Sequence, residues 1–399
     1  KDKGNIFLKK DCFYKYYMLY LFIGDKYMED KIIDTMKNIG NKLNEEYLKG
    51  GTKSKRKRLV YELYSFEVLC AEEFDIENKH LWTVDTELMP DKDTFTDIIN
   101  KDKKHLFDIS KTVIESFISS NYPFYHDYNK ELPRMNIKQI QEIVLGFLNS
   151  FDVNTANKLQ EKIKENKVFI TRLEESHGGY INPFEILNDG IIVVNNIDGY
   201  NLEFAKYLIH ECGHLFELEH LYSQNRRIYR NDSMLTPYYE VSSSFLEYAF
   251  LRYLKDNRIL NHSIDTALND FFLELFVGNF YMHILCMKNN IDSEYIYITE
   301  DNIKEYANSI MERSNYYGPL YYEEGLDYRN SFIYPLGELM AIYLYENYKQ
   351  DKENFIKEFK RSFLVYPSNP TLEAFNNAGV NTALLKEGKI LRKVLENYK

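Results

Sequence analysis

His210-Glu211-Cys212-Gly213-His214, set in the apolar run from Leu208-Ile209 to Leu215-Phe216, constrains this chain more than any other feature. On an α-helix, residues four apart share a face, so the imidazoles of His210 and His214 converge on one cation. Glu211 lies beside the first histidine, where a carboxylate reaches a water on the metal rather than the metal itself. The apolar flanks require this helix to be buried, and burial lowers the local dielectric around the polar face. Cys212 points away from the shared histidine face and reads as core packing.

The chain has 399 residues, which at roughly 150 per domain predicts two or three compact units. Residues 1 to about 120 read as a helical unit, with apolar residues three and four apart in stretches such as Asp30 to Met36. The basic run Lys53, Lys55, Arg56, Lys57, Arg58 follows Gly50-Gly51 and reads as an exposed loop and helix start. Helical patterning resumes at 136–148 and 154–166. Val168 to Thr171, a glycine-containing turn at His177 to Tyr180, and Ile191 to Val194 then mark a small sheet. From Asn201 onward the pattern is helical, punctuated at Thr236-Pro237, Gly318-Pro319, Tyr334-Pro335 and 367–370. The expectation is a mostly α protein with a small β-sheet near its middle, divided into residues 1–120 and 121–399.

A net charge of −11 repels phosphate backbones and argues against nucleic acid as a partner. Lys15 and Asp25 interrupt the longest apolar stretch near the start, so no membrane partner is expected. Cys12, Cys70, Cys212 and Cys286 have neither CxxC nor disulfide-framework spacing, which fits a reducing, cytoplasmic setting.

A zinc ion held by two histidines needs a third protein ligand. His220 lies ten residues after His210, but Glu217 stands where a helix-ending glycine would be needed. Met234 and Asp232 occupy or adjoin a second spacing and offer little. Glu240 is favoured: Thr236 and Pro237 suit a helix start, which places Glu240 in the first turns. Glu247, seven residues on, shares its face and can support a ligating histidine from behind. His177, His262 and His283 read as surface or satisfied core residues.

These residues resemble the thimet oligopeptidase and oligoendopeptidase F group of zinc peptidases. The resemblance is carried by His210 to His214, Glu240 and Glu247, and by Gly190 to Asn196, which is similar to that family's peptide-pairing edge strand. His177 to Tyr180, Asn315 to Pro319, Tyr334-Pro335-Leu336-Gly337, Ser368 to Pro370 and Ala378 to Val380 also resemble family segments, so the likeness runs from about residue 121 to 399. It implies two helical lobes around a deep channel, the sheet lying beside the zinc-binding helix. Members commonly run longer, which implies a reduced N-terminal lobe here. Many carry a histidine about ten residues before the Tyr-x-x-Gly tyrosine; Glu324 or Gly325 stands there, and no histidine follows His283.

The function implied is a zinc-dependent endopeptidase acting on short peptides, with one zinc per chain held by His210, His214 and Glu240. Glu211 is the expected general base. Tyr334 is the tyrosine that family position offers for the oxyanion, with Tyr328, Tyr321 and Tyr322 in reserve. Peptide is expected to pair with the strand, so Gly179, Tyr180, Ile192, Val193 and Val194 are the expected substrate-binding residues. Two rivals stand beside this reading. One is a catalytically weakened, zinc-containing peptide-binding protein; the other is a protease of the H-E-x-x-H-x-x-G-x-x-H kind with His220 as third ligand.

Overall fold

A computed structural model describes residues 92–124, 133–165, 167–171, 178–184, 189–196, 199–223, 240–288, 300–314, 316, 330–362, 376 and 381–398. The expected helical stretch at 30–36, the basic run, Thr236-Pro237, His177, Tyr321, Tyr322, Tyr328 and Pro367 to Pro370 lie outside the described residues. So do the positions of Asp232, Met234, Glu324, Gly325 and Ala378 to Val380.

Helices dominate. In chain order they are α1 (Lys92–Ser120), α2 (Ile137–Phe151), α3 (Val153–Lys164), α4 (Leu202–Ser223), α5 (Val241–Asp256), α6 (Asn261–Lys288), α7 (Glu300–Ser314), α8 (Asn330–Gln350), α9 (Lys352–Ser362), α10 (Ala383–Glu387) and α11 (Lys389–Glu396). Local chemistry sets several of their starts. Asn136 and Gln139 form a reciprocal capping box at α2. The Asn201 side chain accepts the Phe204 N–H at the start of α4. Pro335, read from sequence as punctuation, lies inside α8. Only the first turns of the helix precede it, so the missing N–H costs one hydrogen bond near the helix start.

Three strands lie between α3 and α4: β1 (Val168–Thr171), β2 (Gly179–Phe184) and β3 (Asp189–Asn195). Their order is β1-β3-β2, with β3 parallel to β1 and antiparallel to β2. This corrects the expectation that peptide pairs along Ile192, Val193 and Val194. Ile192 is opposite Val168 on one side and Ile181 on the other, so the backbone of β3 is paired along both edges. Ile192 and Val194 also send their side chains into the core.

The core is unusually aromatic, which is where the 35 Tyr and 26 Phe matter. Phe245 of α5 packs against Phe355 and Phe359 of α9 at centroid distances of 5.1 and 4.8 Å. Each such pair adds about 0.5–1.5 kcal/mol beyond burial of its area. Helix α6 is long and apolar enough over Ser263–Met287 to cross a membrane by length and composition, yet it packs against α1, α5 and α8 with Phe271, Phe272, Phe276 and Phe280 buried. Helix α5 packs against both α4 and α8, and buried Lys206, Glu211, His214, Glu217, Glu240 and Glu338 lie on or beside these three helices.

Candidate metal centre

Backbones approach closely where α4 crosses α5. A Cβ on Gly213 would lie 2.5 Å from the Ser243 Cα and 2.7 Å from the Ser242 carbonyl oxygen, so only glycine fits. That contact sets Glu240, in the N-cap place of α5, against the two histidines of α4. The helix therefore starts later than the sequence spacing implied, at Val241.

His210 Nε2 lies 3.0 Å and His214 Nε2 3.1 Å from the same Glu240 oxygen, Oε2. The ligand atoms of the three residues lie within 4.8 Å of one another. Two imidazole nitrogens and one carboxylate oxygen are a donor set that suits a divalent cation such as zinc. The residues present fit that ion.

Surrounding groups fix these donors. The Ser243 hydroxyl donates to Glu240 Oε2 at 2.7 Å and lies 3.0 Å from the Glu240 carbonyl oxygen. Behind His210, Nδ1 lies 3.1 Å from Glu247 Oε2, and the other carboxylate oxygen of Glu247 lies 3.4 Å from the Lys206 ammonium. Glu247 thus bridges His210 and Lys206.

Burial alone would push the Glu240 carboxyl up, but the charges of His214 and His210 and their hydrogen bonds hold it well below the usual carboxylate range. Burial likewise opposes protonation of His210, yet Glu240 and Glu247 raise it well above an ordinary histidine. Glu211 is 3% exposed, and burial raises its carboxyl. Its Oε2 has no hydrogen-bond partner. A Cβ on Gly179 would lie 3.0 Å from the Glu211 Cγ, so the first residue of β2 passes directly over this carboxylate.

The remaining expected site residues divide. Tyr180 pairs with Val193 in the sheet. Tyr334 is 42% exposed on α8, three residues before Gly337, whose backbone approaches Glu240 so closely that a Cβ would lie 2.8 Å from its carbonyl oxygen. His220 stays on α4, which runs unbroken to Ser223. Six residues of helix carry it about 9 Å along the axis from His214. His283 is a satisfied core residue: Nδ1 lies 2.9 Å from the Ser110 hydroxyl, and Phe107 stacks on its ring.

Three further residues near the centre were given no role by the sequence. Lys206 is one turn before His210, Ser243 is three residues after Glu240, and Glu217 is one turn after His214. Glu217 is buried and accepts from the Ser242 hydroxyl at 2.9 Å, and burial pushes its carboxyl up to about 7. The helical spacing of Lys206 and Ser243 from the ligands was the available signal.

The sequence matches no protein-family model and no curated protein. Among solved structures it is similar to a chain described as an oligoendopeptidase F from Bacillus anthracis, at 12% identity and a TM-score of 0.48, covering 89% of this chain and 65% of that one. A chain described as a peptidase from Chlamydophila abortus gives 14% identity and 0.49, covering 86% and 61%. PZ peptidase A with an inhibitor gives 14% and 0.48, covering 87% and 65%. The chain thus spans less than two thirds of the length of these structures.

Proposed function

We propose that this protein is a zinc-dependent endopeptidase of short peptides. The observation that carries the reading is the convergence of His210, His214 and Glu240 beside a buried Glu211 whose Oε2 is unpartnered. His210, His214 and Glu240 would hold zinc, which when bound supplies a Lewis acid that activates water and polarises the scissile carbonyl.

Glu211 takes the proton of the attacking water and returns it to the leaving amine. Burial of its carboxyl raises its basicity, which suits that exchange near neutral pH. Tyr334 is the proposed donor to the developing oxyanion, lying on α8 three residues before Gly337, whose backbone packs against Glu240. Peptide docks by strand addition to the outer edge of β2, not to β3. Among the described residues β2 is an edge strand, and Gly179 at its start lies over Glu211. Backbone pairing there reads no side chains, so broad sequence tolerance follows.

Mass spectrometry of a mixed short-peptide pool tests this, with bound metal identified in the same preparations. Products from the wild type and none from Glu211→Gln, both loaded with zinc, are the expected result. Intact peptides from a zinc-loaded wild type would instead favour the peptide-binding rival.

A further inference from the structure

Lys206 is 4% exposed, a rare place for an ammonium. It lies 3.2 Å from Glu203 Oε2 and 3.4 Å from Glu247 Oε1, while the other Glu247 oxygen lies 3.1 Å from His210 Nδ1. A single line of contacts therefore runs Glu203, Lys206, Glu247, His210, ending at the metal face of the imidazole. We propose that Lys206 is a positioning residue for the metal centre, acting through Glu247 to hold His210 with its Nε2 toward the cation.

The geometry gives the reason. A glutamate has three side-chain torsions, and one hydrogen bond to an imidazole leaves it free to swing. Held at both oxygens, the carboxylate keeps one plane and one acceptor for the Nδ1–H, so the His210 ring is fixed and Nε2 presents its lone pair. Lys206 is four residues before His210 on α4, so the same helical face supplies both the ligand and its anchor. Glu274 of α6 adds negative potential around the ammonium. Burial opposes the charge on Lys206, but Glu203 and Glu247 keep it protonated.

This inference rests on the metal reading above, and a double-mutant cycle on zinc affinity separates the two. Affinity is measured by chelator competition on the full chain for wild type, Lys206→Met, Glu247→Gln and the double variant. Lys206→Met is expected to weaken zinc about 10- to 100-fold, the range for groups that orient ligands. In the Glu247→Gln background the same change is expected to cost no more than about twofold, because the route is already cut. Lys206→Arg keeps the charge and is expected to restore most of the affinity, and the cobalt-loaded absorption spectrum should shift in Lys206→Met alone of the two. Wild-type affinity in Lys206→Met, or an equal loss in both backgrounds, would overturn the inference while leaving the metal reading intact. A wild type that binds no zinc would overturn both. If Lys206→Met does not fold, Lys206→Gln removes the charge but keeps a donor and enters the same cycle.

Discussion

His210 is held between two glutamates of one helix turn pair: Glu240 Oε2 lies 3.0 Å from its Nε2, and Glu247 Oε2 lies 3.1 Å from its Nδ1. Both ring nitrogens are therefore committed, one to the cation's place and one to support. The seven-residue separation of the two glutamates on α5 is what makes this possible, being two helical turns.

The ligand set can be tested directly. Glu240→Ala is expected to weaken zinc by more than about 100-fold, beyond the range for supporting groups. His220→Ala is expected to leave zinc affinity unchanged, because helix α4 keeps that residue away from the convergent donors. Ser243→Ala, which removes the 2.7 Å hydrogen bond to Glu240 Oε2, should cost about tenfold. Chelator competition measures all three, and an intact Glu240→Ala affinity would rule out this ligand set.

Helix contact is expected to matter as much as ligand chemistry. Gly213→Ala puts a methyl 2.5 Å from the Ser243 Cα, so α4 and α5 must part. Overpacking of this kind costs about 1–3 kcal/mol, and the same shift should pull Glu240 off the histidines. Urea unfolding and zinc titration should both register the change.

Zinc binding should release protons. Despite burial, Glu240 and Glu247 raise His210 in the metal-free protein, and Glu240 raises His214. Protons therefore compete with the cation above the ordinary histidine range, and zinc affinity should climb from pH 6 through pH 8 rather than level near 6.5. Calorimetry in buffers of different ionisation enthalpy counts the protons released.

Acid should destabilise the fold through His283. Burial lowers its folded value to about 4, so the unfolded chain binds a proton first as pH falls through the ordinary histidine range. That costs stability progressively from near pH 6.5 down to 4, by at most about 3 kcal/mol. The urea midpoint should fall between pH 7 and pH 5, and His283→Met should lose less over the same interval.

The helices at 92–120, 137–151 and 202–223, and the shared face of His210 and His214, were legible because each depends on spacing along one helix. Periodicity fixes which side chains share a face before any tertiary contact forms. The strand assignments at 168–171 and 191–194 were legible for the same kind of reason, as runs of β-branched and aromatic residues.

What spacing could not supply was pairing. Ile191 to Val194 reads as a strand, but whether it lies at an edge depends on which neighbours hydrogen-bond to it, and β1 and β2 take both sides. Lys206 shares a helical face with His210, but its role depends on α5 bringing Glu247 against it. Sequence alone determined the chemistry that one helix can present: two imidazoles, a neighbouring carboxylate and an apolar back. Only the tertiary structure decided which carboxylate meets both imidazoles and which strand is exposed, because those depend on how closely separate segments approach, and at Gly213 and Gly337 that approach is set by backbone contact.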